Sequence, residues 1–209
     1  MQPTVVQYGL IASSTTVVVN QYSTATTTIP LAVTTGVVLD VQRRLNFSWQ
    51  NESSNSFKIV GLNQANMTIS ETVAGTNATG GATVLDYLKV ISITGLSATA
   101  GTFTAGTGTT GGSLWNIVNW HVTPVNIQYA CILSGTFNAT FSIQYTYDDP
   151  NGLPPGVTSP QAFNHPIIVN QTTTIDGSSN DPITAWRLLI TGGTATVRAI
   201  GIQAGIGGP

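Results

Sequence analysis

The sequence predicts an all-β fold, built as one or two β-sandwich (jelly-roll-like) domains, with a tandem duplication as one way of reaching two. Three observations carry this. Side chains alternate with period two, turn residues punctuate the alternating stretches, and no segment holds a sustained helical pattern. The clearest alternation places Phe137, Ala139, Phe141, Ile143, Tyr145 and Tyr147 on one face, with Asn138, Thr140, Ser142, Gln144 and Thr146 on the other. Successive strand side chains point to opposite sides, so this is the signature of a half-buried strand. Met67, Ile69 and Val73 alternate with Thr68, Ser70 and Thr72 in the same way, and Phe57 and Ile59 alternate with Ser56 and Lys58. Trp186, Leu188 and Ile190 share one face. The apolar runs Val17-Val18-Val19 and Val37-Val38-Leu39 predict strands buried on both sides. Between the strands fall turn-forming groups: Gly75-Thr76-Asn77, Gly80-Gly81, Asp149-Pro150-Asn151-Gly152, Pro154-Pro155-Gly156 and Asp176-Gly177. The best helical segment, Thr83 to Lys89, is short enough to be strand instead.

A weak repeat bears on domain number. Ile93-Thr94-Gly95, followed by Ala98-Thr99, recurs as Ile190-Thr191-Gly192, followed by Ala195-Thr196. A Phe-x-Ile strand lies upstream of each, Phe57 to Ile59 and Phe141 to Ile143. Two copies of one β domain would give this pattern, and so would the common composition of Thr/Gly-rich strand ends. The duplication reading divides the chain into 1–110 and 111–209, joined near the Gly-rich stretch Ala105 to Gly112.

Composition narrows the function. Charged residues are 7% of the 209, against ~25% in soluble proteins. Thr, Asn, Gly and Pro interrupt every apolar stretch, so no run of ~20 apolar residues predicts a membrane span. Disorder is disfavoured by 41% hydrophobic residues. The net charge of −2, with only Arg43-Arg44 adjacent among the basic residues, argues against nucleic acid. Near-neutrality also weakens repulsion between copies and eases self-association. The start, Met1-Gln2-Pro3-Thr4, lacks a basic, apolar leader pattern, which predicts folding in a cytoplasm. The lone Cys131 excludes an internal disulfide, and its apolar flanks make it a small core residue.

No catalytic, cofactor-binding or metal-binding residues are expected. Two histidines, His121 and His165, and one cysteine are too few for a transition-metal site. Asp148-Asp149-Pro150 reads as a strand stop and turn, because carboxylates adjacent on a strand point apart and cannot share a cleft. Asp176 to Asp181 offers oxygen ligands but lacks the bidentate Glu of a strong Ca²⁺ loop, and reads as an Asx-rich turn. No nucleophile elbow, phosphate loop or dinucleotide fingerprint occurs. The Asn-x-Ser/Thr sequons at Asn46, Asn51, Asn66, Asn77, Asn138 and Asn170 are what an Asn- and Thr-rich chain gives by chance. Among Trp49, Trp115, Trp120 and Trp186, the last is expected in the core. Trp115 and Trp120 have opposite strand parity, so if the stretch is a regular strand at most one packs inward and the other is a candidate partner contact.

Several phrases are familiar together: Leu39-Asp40-Val41-Gln42-Arg43-Arg44, Phe57-Lys58-Ile59-Val60-Gly61, Ile69-Ser70-Glu71-Thr72-Val73 and Leu88-Lys89-Val90-Ile91-Ser92-Ile93-Thr94. Later come Gln144-Tyr145-Thr146-Tyr147-Asp148-Asp149-Pro150, Phe163-Asn164-His165-Pro166, Ala185-Trp186-Arg187-Leu188 and Ile202-Gln203-Ala204-Gly205. Together they resemble β-rich modules of virion proteins of tailed bacteriophages. The sequence departs from that pattern at Gly61-Leu62, where a Thr usually follows, and at Trp186, where a small aliphatic is more common. The resemblance implies a non-enzymatic virion part, assembled in the bacterial host cytoplasm, that touches neither nucleic acid nor membrane. A capsid decoration (cement) protein is the leading expectation, a homotrimer bound to the major capsid protein. A tail connector, tail-shaft or fibre-attachment protein is the alternative within the virion, and a carbohydrate-binding β-sandwich module the alternative outside it.

Overall fold

The computed structural model describes residues 3–24, 28–29, 31–49, 56–74, 81–96, 100–135 and 138–207. The predicted turn Gly75-Thr76-Asn77, the repeat residues Ala98-Thr99, the sequon residues Asn51 and Asn77, Phe137 and the Trp49 side chain lie outside what is described. Among the described residues the secondary structure is all strand: β1 (Thr4–Tyr8), β2 (Ser13–Thr24), β3 (Thr28–Ile29), β4 (Val37–Trp49), β5 (Ser56–Leu62), β6 (Thr68–Ala74), β7 (Gly81–Ala82), β8 (Tyr87–Gly95), β9 (Ala100–Gly112), β10 (Asn116–Ile117), β11 (Val122–Ser134), β12 (Ala139–Thr146), β13 (Phe163–Asn164), β14 (Ile175–Ser179), β15 (Ala185–Gly193) and β16 (Thr196–Gly207).

These strands form two compact units, Ile11–Gly111, and Met1–Leu10 together with Gly112–Pro209. The division expected at 110/111 therefore needs one correction. The first ten residues belong with the C-terminal unit, because β1 pairs antiparallel with β16, from Thr4 opposite Gly201 to Tyr8 opposite Val197. A pairing across that sequence distance leaves no local pattern to read. The Gly-rich stretch from Ala105 is likewise strand β9, not linker; Gly108 passes so close to Asn46 that a Cβ there would lie 2.8 Å from its amide nitrogen.

In the C-terminal unit one sheet runs β1-β16-β11-β14 and the other β13-β12-β15-β10, all antiparallel. The sheets meet where Trp186 on β15 stands edge-on to Tyr129 on β11, ring centroids 5.4 Å apart. Gly201 on β16 lies directly beneath the Trp186 ring, where any Cβ would collide with it. The Tyr8 hydroxyl donates to the Leu188 carbonyl at 2.6 Å. Cys131 is fully buried in this core, and burial pushes its thiol up to about 12, which leaves it unreactive.

The N-terminal unit has the same plan. One row runs β2-β9-β4-β7; the other runs from the first half of β4 through β8 and β5 to β6, with β3 also on β8. Phe103 on β9 packs on Phe57 of β5 (4.7 Å) and Phe47 of β4 (5.9 Å). The long β4 serves both rows, as β10 and β11 together do in the other unit. The repeated phrases occupy equivalent places: Ile93 on β8 lies opposite Ile59 of β5, and Ile190 on β15 lies opposite Phe141 of β12. Their registers differ by two residues, in part because β12 and β15 slip between Thr140 and Phe141.

Two local readings are corrected. Val37-Val38-Leu39 is not buried on both sides, since Val38 is 69% exposed between two buried neighbours. Asp176-Gly177 is not a turn: both residues lie in β14, paired with Ala130 and Tyr129 of β11. Gly177 is there for closeness, because a Cβ would meet His165 and Ile168 at 3.2 Å.

Candidate binding surface

Several of the residues that could do chemistry are committed to the backbone. His165, fully buried, accepts the amide N–H groups of Ile167 (3.2 Å) and Ile168 (3.0 Å) at Nδ1. The ring proton is thereby placed on Nε2, which donates to the Ser178 carbonyl at 3.1 Å. The ring thus ties the segment after β13 to β14, and burial pulls its pKa below the ordinary value of 6.5. His121 is exposed in a loop, its amide donating to Asn119 Oδ1 (3.0 Å). Asp149 accepts the Asn151 amide (2.9 Å), and Asp148 accepts the Gln161 amide (2.7 Å), closing the base of the loop between them. That is the stop-and-turn role expected of the pair. Asp176 is exposed on β14, and Asp181 lies in the loop after it. Among the described residues no group of three or more His, Cys, Asp or Glu is placed to hold a metal ion.

In the N-terminal unit, Arg43 is 3% exposed. Its guanidinium makes a forked pair with Asp40, both arms 2.8 Å, and donates to the carbonyls of Ile11 (2.8 Å) and Gly108 (3.4 Å). Arg44 points outward to Asp86 at 3.5 Å. Glu71 accepts the amides of Val84 (2.9 Å) and Leu85 (3.1 Å), securing the approach to β8.

An apolar groove of about 400 Å³ opens in the C-terminal unit, lined by Trp120, Val125, Pro182, Ile183 and Thr184. Trp120 is 61% exposed, while Trp115 is 6% exposed beneath the Arg187 guanidinium, 4.7 Å from its ring centre. One ring is in and one is out, but strand parity is not the cause: β10 covers only Asn116–Ile117, and both tryptophans lie outside it, Trp120 in a turn. The exposed ring is held on a fixed support. Gln203 on β16 clamps Asn119 by accepting its amide (3.0 Å) and donating to its carbonyl (2.7 Å). The opposite wall is secured by Val118 N–H to Thr184 O (2.9 Å) and Thr184 N–H to Thr146 O (2.8 Å). Pro182 and Ile183 were not singled out from sequence, and Gln203 stood there only within the phrase Ile202 to Gly205. Trp120, as a candidate partner contact, was the residue that pointed to this place.

A second aromatic group lies in the same unit. Tyr145 and Phe163 stack at 5.8 Å, and Tyr147 stands edge-on to both. Tyr147 and Phe163 are exposed. These rings pack chiefly on one another as cross-strand neighbours of β12 and β13. Comparison of the chain with protein-family models, curated proteins and solved structures finds no match.

Proposed function

We propose that the chain is a non-enzymatic structural component of a bacteriophage virion, a capsid decoration (cement) protein. It steadies the head through contacts with the major capsid protein and with copies of itself. The observation that carries the reading is the use made of the motif residues. Arg43, Glu71, Asp148, His165 and Gln203 belong to the phrases that resemble phage virion modules, and each binds main-chain atoms. Residues so used maintain a scaffold and leave surface, not chemistry, as the working part. Each unit's strand order reads as that of a jelly roll, an architecture used by viral capsid and lectin domains. A surface with few charges can be covered repeatedly by neighbours without burying unpaired ions.

The groove at Trp120 is the proposed capsid contact. A large exposed ring lining an apolar groove, next to main chain clamped by Gln203, is the kind of anchor that dominates protein interfaces. Trp120→Ala is expected to weaken particle binding by about 2 kcal/mol, roughly 30-fold in affinity. Its melting temperature should stay that of the wild type, because the ring is mostly in solvent. Reconstitution of the purified chain onto particles lacking it, read by sedimentation, checks this; equal occupancy by the two proteins contradicts it.

The same exposed Trp120 favours a second reading, a carbohydrate-binding module, since sugar rings stack on such faces. A shift of tryptophan emission with a polysaccharide, lost in Trp120→Ala, would select it. No shift across a broad glycan panel removes it.

A further inference from the structure

We infer that β6 is a strand-pairing edge through which two copies of this chain join, antiparallel, into one sheet. The inference stands apart from any particle role. β6 ends its sheet, with β5 on one side and no described residue paired on the other. Its seven residues run in unbroken register with β5, from Thr68 opposite Leu62 to Ala74 opposite Ser56.

The direction of the free groups follows from the turn. Asn63 N–H donates to Met67 O (3.1 Å), and on the far side of β5 Leu96 N–H donates to Ser56 O (2.9 Å). In an antiparallel sheet alternate residues bond to alternate neighbours. Ile69, Glu71 and Val73 therefore bond to β5, and Thr68, Ser70 and Thr72 turn their N–H and C=O groups outward.

Natural proteins blunt such an edge with proline, lysine, a bulge or a cover. β6 has none of these among the described residues. Its one charge, Glu71, is held on the Val84 and Leu85 amides.

The other unit supplies the control. The strand in the same position of its sheet is β13, and there the edge is broken. After Phe163–Asn164 the chain passes through His165 and Pro166, Ile168 accepts from Ile143, and Asn170 turns left-handed at φ 50° before Gln171 bridges Phe141. One edge of a shared plan is blunted and its counterpart is left regular.

A second copy is the occupant that fits. The outward side chains of β6 are Thr68, Ser70 and Thr72, hydroxyl groups with no charge to oppose themselves. Thr and Ser pairs across strands are favourable. A two-fold axis at Ser70 sets Ser70 against itself and Thr68 against the partner's Thr72. Such a contact is isologous and closes at two. It favours a pair where the sequence reading anticipated a trimer.

The test is the mass and amide exchange of the full chain, with Ser70→Pro and Thr72→Lys as variants. Proline is tolerated in an edge strand where its missing N–H faced solvent, so Ser70→Pro should keep its circular dichroism. Thr72→Lys keeps the backbone and places opposite the partner's Thr68 a lysine of the kind that blunts natural sheet edges. Light scattering should give the wild type twice its 21.8 kDa chain mass and both variants the single mass. Exchange at Thr68 and Ser70 should be at least about tenfold slower in the wild type than in Thr72→Lys. A wild type of single mass with those amides exchanging freely overturns the inference, as do variants that both keep the double mass. A single-mass chain that still joins particles overturns the pairing and leaves the particle role standing.

Discussion

His165→Ala is expected to destabilise the C-terminal unit by about 3 kcal/mol, or roughly 12–24 °C in melting temperature for a unit of ~100 residues. The imidazole satisfies two amides and one carbonyl at a fully buried point, and each group left without a partner costs about 1–3 kcal/mol. The substitution also leaves a cavity against Ile168 and Tyr129, whose ring stands edge-on to His165 at 5.4 Å. A pH signature follows from the same geometry. Nδ1 is an acceptor and must stay unprotonated, and the folded pKa lies below the ordinary 6.5. The unfolded chain therefore takes up a proton that the folded chain resists. Stability from this residue is full above about pH 6.5 and falls as pH drops below it, until the depressed folded value is passed. Calorimetry from pH 7.5 to 5 should show that slope in the wild type and its loss in His165→Ala.

Arg43→Met should cost the N-terminal unit about 2 kcal/mol, from two carbonyls left without a donor, while Arg44→Met should cost less than about 1 kcal/mol. The two arginines are adjacent in sequence and differ only in where the strand sends them. Arg43 is enclosed, and its removal strands the carbonyls of Ile11 and Gly108, while Asp40, 59% exposed, stays hydrated. The Arg44 side chain is 44% exposed and its pair with Asp86 is long. Arg43→Lys should recover less than half of the loss, because an ammonium cannot make the forked pair and reach both carbonyls. Equal effects at 43 and 44, measured by thermal unfolding, would contradict this account of the pair.

The sheets were legible wherever one face is dry and the other wet. Ile69 and Val73 against Thr68, Ser70 and Thr72 follow the alternation residue for residue, and Trp186 sits in the core with Leu188 and Ile190. Turn chemistry was legible where a side chain binds its own loop, as at Asp149. It misled at Asp176-Gly177, where the glycine answers to the approach of His165 and Ile168. Ala105 to Gly112 hid a strand for a similar reason, since small residues there make room for Asn46 and Arg187. The partner of β1 could not be read at all, because register over such a distance depends on tertiary packing. The groove was barely legible: the expected alternation of Trp115 and Trp120 needed a regular strand, and only Asn116–Ile117 is strand there, while the Gln203 clamp and the Pro182–Thr184 wall come from segments distant in sequence.

Hydroxyl-radical footprinting of the chain free and on assembled particles tests the central claim most directly, because it reads whether a neighbour covers the open surface. Oxidation of Trp120 should be rapid in the free chain and strongly suppressed on the particle, with buried Trp115 slow in both. Equal oxidation of Trp120 in the two states, or purified particles from which the chain is missing, would contradict it.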